Sequence, residues 1–421
     1  MSNENHDPTP DQVLYGVKVI DLTGPSGFYC AKLLADLGAD VIRIENSCTA
    51  ESENYAPFYK GEEHVDNSLY RWHFHTNKRS VLLNLQSEFG RDKFFDLLAV
   101  ADVLITTEPN SKIIGAELGK NEIRSKYPKL IHTVIRAFSS NSTYSEYKAT
   151  DIIALAMSGL MAITGFPEDP PNQIGGEQAY HMVSMHGAMG TLVALLGRDY
   201  TGLGKDVEVS MQECTSMATL QTANLNYYNW QNLNRQRTGL NHPFSEAQST
   251  ENPKHYPRTL YKCKDGWVSY AAHLAPPGAW ERFLTWLEDY DSQQDLKEPK
   301  YLDPETRQIS QLHINEVMAS HCLKLKAQEL YHSAQSYRLL CVPVQNVNDL
   351  ITDKQLKERG YFVDLKHDDR SESFTYPGAP YKLSKTPWKI KGPAPKIGQH
   401  TEEVLKEWLA LSKSKLGFHN V

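Results

Sequence analysis

The sequence predicts an α/β protein built around a largely parallel sheet, and three observations carry that reading. Short β-branched runs recur with helical stretches between them. A glycine-bearing turn joins the first strand to the first helix. The chain has 421 residues, 40% of them hydrophobic and 23% charged, which is enough for two or three domains with a large core.

Val17 to Leu22 (VKVIDL) is a β-branched run that stops at Thr23-Gly24-Pro25-Ser26-Gly27, so it reads as a buried strand ending in a turn. Phe28 to Leu37 places apolar residues at helical spacing, Gly38 punctuates it, and Asp40 to Ile44 is again strand-like, completing a βαβ unit. The pattern recurs through a strand at Ser80 to Leu85, a helix at Gly90 to Ala99, and strands at Asp102 to Thr106 and Leu130 to Arg136. Asp151 to Gly165 and Met182 to Gly197 are small and apolar, which predicts packed helices with close backbone approach. Asp206 to Met211 alternates polar and apolar residues, as a half-buried strand does, and a long helix is expected from there toward Asn232. Leu260 to Ala272 reads as a hairpin turning at Lys264-Asp265-Gly266, and Trp280 to Gln335 as mainly helical. Cys341 to Val347, Tyr376 to Leu383 and a helix from Thr401 return to α/β texture.

Composition narrows the function. With 44 basic and 51 acidic side chains the formal net charge is −7, and no basic block offers a surface for polyanions. Nucleic-acid binding, which rests on Lys and Arg neutralising phosphates, is therefore not expected. The six cysteines, Cys30, Cys48, Cys214, Cys263, Cys322 and Cys341, have neither zinc-ligand nor Cys-x-x-Cys spacing, which predicts reduced, mostly buried thiols. Met1 to Gln12 is polar and no apolar run is long enough to span a bilayer, so a soluble, cytoplasmic protein is expected.

Generic motifs give little. Glu45 ends the second strand as a ribose-binding acid would, but Gly24-Pro25-Ser26-Gly27 is not a Gly-x-Gly-x-x-Gly fingerprint. No phosphate loop and no Gly-x-Ser-x-Gly elbow occurs. His73 and His75 alternate in an expected strand or loop, where they could share a metal, though packing histidines in an aromatic segment are the plainer reading. Lys78 and Arg79 are adjacent cations placed directly before a strand.

Ordered landmarks carry more. They include GVKVIDLTGPSGFYCAKLLADLGADVIRIE (Gly16 to Glu45), NKRSVLLNL (Asn77 to Leu85), ADVLI (Ala101 to Ile105), SGLMAITG (Ser158 to Gly165), TGLGKDVEVSMQE (Thr201 to Glu213), LYKCKDGWV (Leu260 to Val268), CVPV (Cys341 to Val344), GAPYKLSKTP (Gly378 to Pro387) and GQHTEEVL (Gly398 to Leu405). On these residues the chain resembles the family III CoA-transferases, the group of formyl-CoA transferases, carnitine CoA-transferases and 2-methylacyl-CoA racemases. The resemblance implies an interlaced dimer whose chains each have a Rossmann-like large domain built from both termini, here 1–225 and 336–421, and a small middle domain, 226–335. It implies acyl-CoA and a carboxylic acid as substrates, no permanently bound cofactor and no metal. Lys78 and Arg79 match the family's phosphate-side cations, and Arg136 lies where members often carry a residue beside CoA.

One position departs. In the transferases an aspartate attacks the acyl-CoA thioester to give a mixed anhydride, and CoA returns to give an enzyme-bound thioester. Counting back without a gap from Thr201 puts that aspartate on Tyr180. The racemase histidine, thirty places earlier, falls on Thr150, directly before Asp151. A phenol, with an ordinary pKa of about 10, is a poor substitute for a carboxylate nucleophile. The chain thus resembles a non-catalytic subunit that pairs with an Asp-bearing homologue, as in CoA-transferases for benzylsuccinate-type acids. Two alternatives stay open. One is a homodimeric acyl-CoA enzyme using another carboxylate, with Glu177 nearest, although a solvated loop residue is its plainer reading. The other is an acyl-CoA-binding lyase or regulatory protein, in which Asp151 serves as acid or base rather than as a helix N-cap. Loops such as His242 to Pro257 are expected to shape the acid pocket.

Overall fold

The structure is a computed structural model that describes residues 12–46, 55–107, 120–220, 225–232, 234, 237–241, 257–270 and 277–410. Its larger sheet is laid down by β1 (Lys18–Leu22), β2 (Asp40–Glu45), β3 (Arg79–Leu82), β4 (Val103–Thr107), β5 (Ile131–Arg136) and β6 (Asp206–Ser210). The spatial order is β3-β2-β1-β4-β5-β6, and every pairing is parallel. This is the doubly wound order in which the chain reverses direction between β1 and β4 and leaves a crevice beyond their carboxyl ends. Parallel strands covered on both faces must be apolar throughout. Val19, Ile20, Val41, Ile42, Val103, Leu104, Ile105 and Ile131 are accordingly fully buried. β6 at the edge keeps its alternation, with Asp206 and Glu208 facing out.

Between the strands run α1 (Pro25–Asp36), α2 (Leu69–Phe74), α3 (Glu88–Leu98), α4 (Lys120–Lys126), α5 (Asp151–Met157) and the long α6 (Gln178–Thr201), and β6 leads into α7 (Met211–Thr219). α1 starts with proline at its first position, where no intrahelical N–H is needed. Gly27 lets this first turn sit on the β1 and β4 ends: a Cβ there would stand 2.8 Å from Thr23 Cβ and 2.9 Å from Thr107 Cγ2. The helix expected toward Asn232 appears as α7 and α8 (Leu225–Gln231), on either side of residues 221–224, which lie outside the described residues.

The smaller unit comprises Gly159–Gln173 and Thr219–Asp353. Its sheet joins β7 (Leu260–Lys262), β8 (Trp267–Tyr270) and β9 (Cys341–Pro343), all antiparallel. Helices α9 (Ala279–Glu288), α10 (Pro304–Ile309), α11 (Gln311–Cys322) and α12 (Ala327–Ser336) pack with it around Trp286, Leu287, Leu296, Val317 and Leu330, and α13 (Val347–Thr352) follows. The unit extends past 335 because β9 pairs with β8. The larger unit, Met1–Ser158, Ile174–Ala218 and Lys354–Val421, draws on both ends of the chain. There α14 (Lys354–Glu358) precedes a hairpin of β10 (Phe362–His367) and β11 (Glu372–Pro377). α15 (Thr401–Leu409) then buries Val404, Leu405 and Trp408 in one core with Ile42, Val81 and Leu97.

Of the cysteines, Cys30, Cys214, Cys263, Cys322 and Cys341 are buried and unbridged, while Cys48 lies outside the described residues. Burial raises the pKa of all five thiols, so they behave as small hydrophobes. No described helix is long and apolar enough to cross a membrane.

Candidate active site

The crevice at the reversal point is drawn together by hydrogen bonding. Gly24 N–H donates to Thr107 Oγ1 at 2.7 Å, tying the β1–α1 turn to the end of β4. Beside it, a cavity of about 390 Å3 opens at the carboxyl end of β5. Ser26 on α1, Arg136 and Phe138 after β5, Lys148, Thr150 and Met211 line it. Arg136 is 9% exposed, so its charge sits at the base, whereas Lys148 is exposed at the rim. Across β5 and β6, Glu208 accepts from Ser140 N–H (2.8 Å) and Ser139 Oγ (3.1 Å). Burial raises its carboxyl pKa, but those hydrogen bonds and Arg136 outweigh it and hold the group below its ordinary value. Tyr144 and Tyr147 stack at 5.3 Å next to the cavity, and Phe138 meets Tyr144 edge-on. Two cations, an α1 N-terminal turn and aromatic faces can together take an anionic ligand with a flat group.

A second cluster forms where α5 meets the start of α6. Asp151 is the first residue of α5, and Thr150 holds the N-cap position that the sequence suggested for Asp151. The carboxylate caps the neighbouring helix instead: Tyr180 N–H, in the first turn of α6, donates to Asp151 Oδ1 at 3.1 Å. Asp151 Oδ2 is buried without a partner among the described residues. Glu177, the N-cap residue of α6, has left-handed backbone angles (φ 51°, ψ 50°), a conformation that costs energy in a residue with a side chain. Its carboxylate accepts from Tyr70 O–H at 2.8 Å, so it is anchored rather than a freely solvated loop residue. Burial, with Glu177 and Asp151 adding negative charge, raises the Tyr180 phenol above its ordinary pKa. Tyr180 therefore stays protonated at neutral pH and supplies no nucleophilic oxyanion.

A family model described as CoA-transferase family III matches residues 14–401. The chain belongs to that family. The family's CoA-transferases move CoA between an acyl-CoA and a carboxylic acid. Among curated relatives, the BbsE subunit of succinyl-CoA:(R)-benzylsuccinate CoA-transferase from Thauera aromatica is 28% identical, with 93% of each chain covered. Succinyl-CoA:mesaconate CoA-transferase from Haloarcula hispanica is 27% identical over 93% of this chain and 95% of its own. The beta subunit of succinyl-CoA–L-malate CoA-transferase from Chloroflexus aurantiacus is 27% identical over 96% of both. A CaiB/BaiF family protein from Brucella suis has the same fold, with a TM-score of 0.81 at 23% identity over 94% of this chain and 99% of its own.

In this family III chain the three cations singled out from sequence are not brought together. Arg136 lines the cavity, but Lys78 is wholly buried, donating to Asp21 Oδ2 (2.9 Å) and Phe28 O (3.1 Å). Burial pushes its pKa down to about 8, with Asp21 opposing the fall. Asp21 also faces Arg43 at 3.4 Å. Burial raises the Asp21 carboxyl pKa, and the two cations more than reverse that. Arg79 holds Asp40 through Nε and Nη2 (3.0 and 2.6 Å) and Glu403 and Glu407 through Nη1 (3.0 and 2.7 Å). Glu45, the ribose-acid candidate, is taken by Arg71 at 2.6 Å and by Ser80 Oγ.

His73 and His75 belong to a helix and its C-cap, not to the strand or loop expected, so a spacing of two sets them on different sides. His75 is buried against Lys78, which with burial holds its pKa far down, and no metal-holding cluster exists among the described residues. Lys148 escaped the sequence reading because a lone lysine in a polar loop carries no signal. The expected acid-pocket loop, His242 to Pro257, lies outside the described residues up to Pro257 itself. A larger cavity of about 680 Å3 lies at the amino ends of β1–β3, where Asn77 and Lys78 line it together with Arg71, Arg370, Lys391 and Lys396.

Proposed function

We propose that this chain is the CoA-binding but nucleophile-free subunit of a two-subunit CoA-transferase. It works with a homologous partner that carries the aspartate, on a dicarboxylic acid of the benzylsuccinate type. The observation that carries the reading is Tyr180. At the position that the resemblance gives to the family's aspartate, in the first turn of α6, the main-chain N–H is bound by Asp151 and the side chain is a phenol kept protonated. Two of the relatives are themselves named as subunits, one of them acting on benzylsuccinate. Arg136 and Lys148 would meet CoA phosphates at the β5 cavity, while Lys78 and Arg79 would support the site as framework. The partner would lie on α6, where Met185, Met189, Val193, Leu196 and Tyr200 form an exposed apolar stripe opposite the buried face of Val183, Gly187 and Ala194. That stripe supports the interlaced pairing the family resemblance implies.

Purified alone, the chain is expected to bind CoA and to transfer none between succinyl-CoA and benzylsuccinate. Adding an Asp-bearing homologue is expected to bring transfer. Turnover by the isolated chain overturns the reading. The strained, anchored Glu177 favours one second reading, a self-sufficient enzyme with Glu177 as nucleophile, and loss of that turnover in Glu177→Gln would select it.

A further inference from the structure

The smaller unit holds a cavity of its own. It measures about 280 Å3, room for roughly nine water-sized groups. Its walls are aromatic: Trp280 and Phe283 from α9, with Tyr261 and Tyr270 from the β7–β8 hairpin beneath. Two guanidinium groups, Arg258 and Arg307, enter it, and among the described residues no carboxylate lines it. Both are fixed by packing. Arg258 lies 5.0 Å over the Tyr261 ring and Arg307 5.1 Å over the Trp280 ring. Arg258 donates its Nε–H to Leu260 O (2.7 Å), and Arg307 its Nη1 hydrogens to Tyr301 O (2.9 Å) and Leu302 O (3.3 Å). Each guanidinium keeps further donors uncommitted among the described residues, since arginine carries five N–H groups.

The two carboxylates close to Arg307 in sequence, Glu305 and Asp303, are both exposed, and Asp303 is spent on capping α10 through Glu305 N–H, Thr306 N–H and Thr306 Oγ1. Two further polar groups have no described partner. The Trp280 indole N–H is buried and unbonded, and the phenol of Tyr270, 5% exposed, makes no hydrogen bond. Among the described lining residues the side-chain amides Gln311 and Asn315 carry acceptor oxygens, and Asn315 Oδ1 already receives Tyr261 O–H, Arg258 N–H and Gln311 Nε2. Aromatic walls, surplus donors and an engaged acceptor call for a ligand that brings acceptors and a flat apolar body.

We propose that this cavity binds an aromatic or arylalkyl monocarboxylate, its carboxylate on Arg258 and Arg307 and its ring among Trp280, Phe283 and Tyr270. The site is distinct from the β5 cavity and does not depend on the CoA reading. Phenylacetate titrated into the whole protein, with tryptophan fluorescence and ligand-observed NMR as readouts, is expected to bind saturably at one site in the millimolar range or tighter. Phenylacetamide, which lacks the charge, is expected to bind about tenfold more weakly or worse, as are Arg258→Gln and Arg307→Gln, because a charge-assisted hydrogen bond is lost. Arg136→Ala and saturating CoA should leave the affinity unchanged. Because Arg307 also ties Tyr301 and Leu302, saturation transfer between the phenylacetate ring and the Trp280 indole in the unmutated protein gives a readout free of folding effects. No saturable binding, equal affinity for the amide, unchanged affinity in both arginine variants, displacement by CoA, or no transfer to Trp280 would each overturn the proposal.

Discussion

At the residue scale, Lys78 and Arg43 are held in buried ion pairs, while Arg136 sits at the base of the β5 cavity. Lys78 and Arg43 share the buried Asp21, and Arg43 also reaches Glu45 at 3.5 Å, so Asp21→Asn leaves the buried Lys78 charge uncompensated, and breaking such a pair costs about 3–5 kcal/mol. A large fall in the urea midpoint is expected. Arg136→Ala is expected to weaken CoA binding about tenfold, measured by calorimetry. The same buried acids set a pH response. Burial pushes up the carboxyl pKa values of Asp21 and Glu45, and their arginine and lysine partners more than reverse this, leaving both below their ordinary 3.8 and 4.5. The unfolded chain therefore takes up protons first on acidification, so the stability these pairs confer is complete above pH 4.5 and lost as pH falls through the folded values. The melting temperature should drop steeply below that pH, and Glu45→Gln should shallow the drop. None of this pairing was legible in sequence. Lys78 and Asp21 are 57 residues apart, and adjacency to Arg79 suggested a shared role that the fold divides between Asp21 and Asp40.

At the element scale, legibility followed periodicity. β1, β2, β4 and β5 are rich in Val, Ile and Thr, as strands buried in a parallel sheet are, although Asp21, Arg43, Glu45 and His132 are buried among them. α2 was missed because Leu-Tyr-Arg-Trp-His-Phe has neither apolar spacing nor a strong helix former beyond its ends, and packing of Trp72 and Phe74 decides it. β10 escaped notice because Asp364 and Lys366 on its outer face interrupt the apolar run. α6 shows the opposite case, since its sequence is apolar all round and only the structure separates the face packed on the sheet from the exposed stripe. That stripe makes the helix a test of pairing. Val193→Asp, exposed in the chain by itself, is expected to leave the fold intact by circular dichroism and to abolish assembly with an Asp-bearing homologue in analytical ultracentrifugation. Unchanged assembly would take the partner off this helix.

At the scale of the whole molecule, the sequence-order landmarks implied a large domain drawn from both ends. α15 completing the core beside β3 and α3 gives that arrangement its physical reason. The extent of the smaller unit was harder to read, because β9 looks like any short apolar strand and only its antiparallel pairing with β8 assigns it. Family membership supports CoA transfer, and the proposed reading turns on Tyr180, whose phenol is held protonated. The most direct test is to trap the acyl anhydride. The chain is incubated with succinyl-CoA, alone and with an Asp-bearing homologue, quenched with hydroxylamine, and mapped by mass spectrometry. The account predicts a hydroxamate on the homologue's aspartate and none on any carboxylate of this chain. A hydroxamate on Glu177, Asp151 or any other acid of this chain, formed without the homologue, would contradict it.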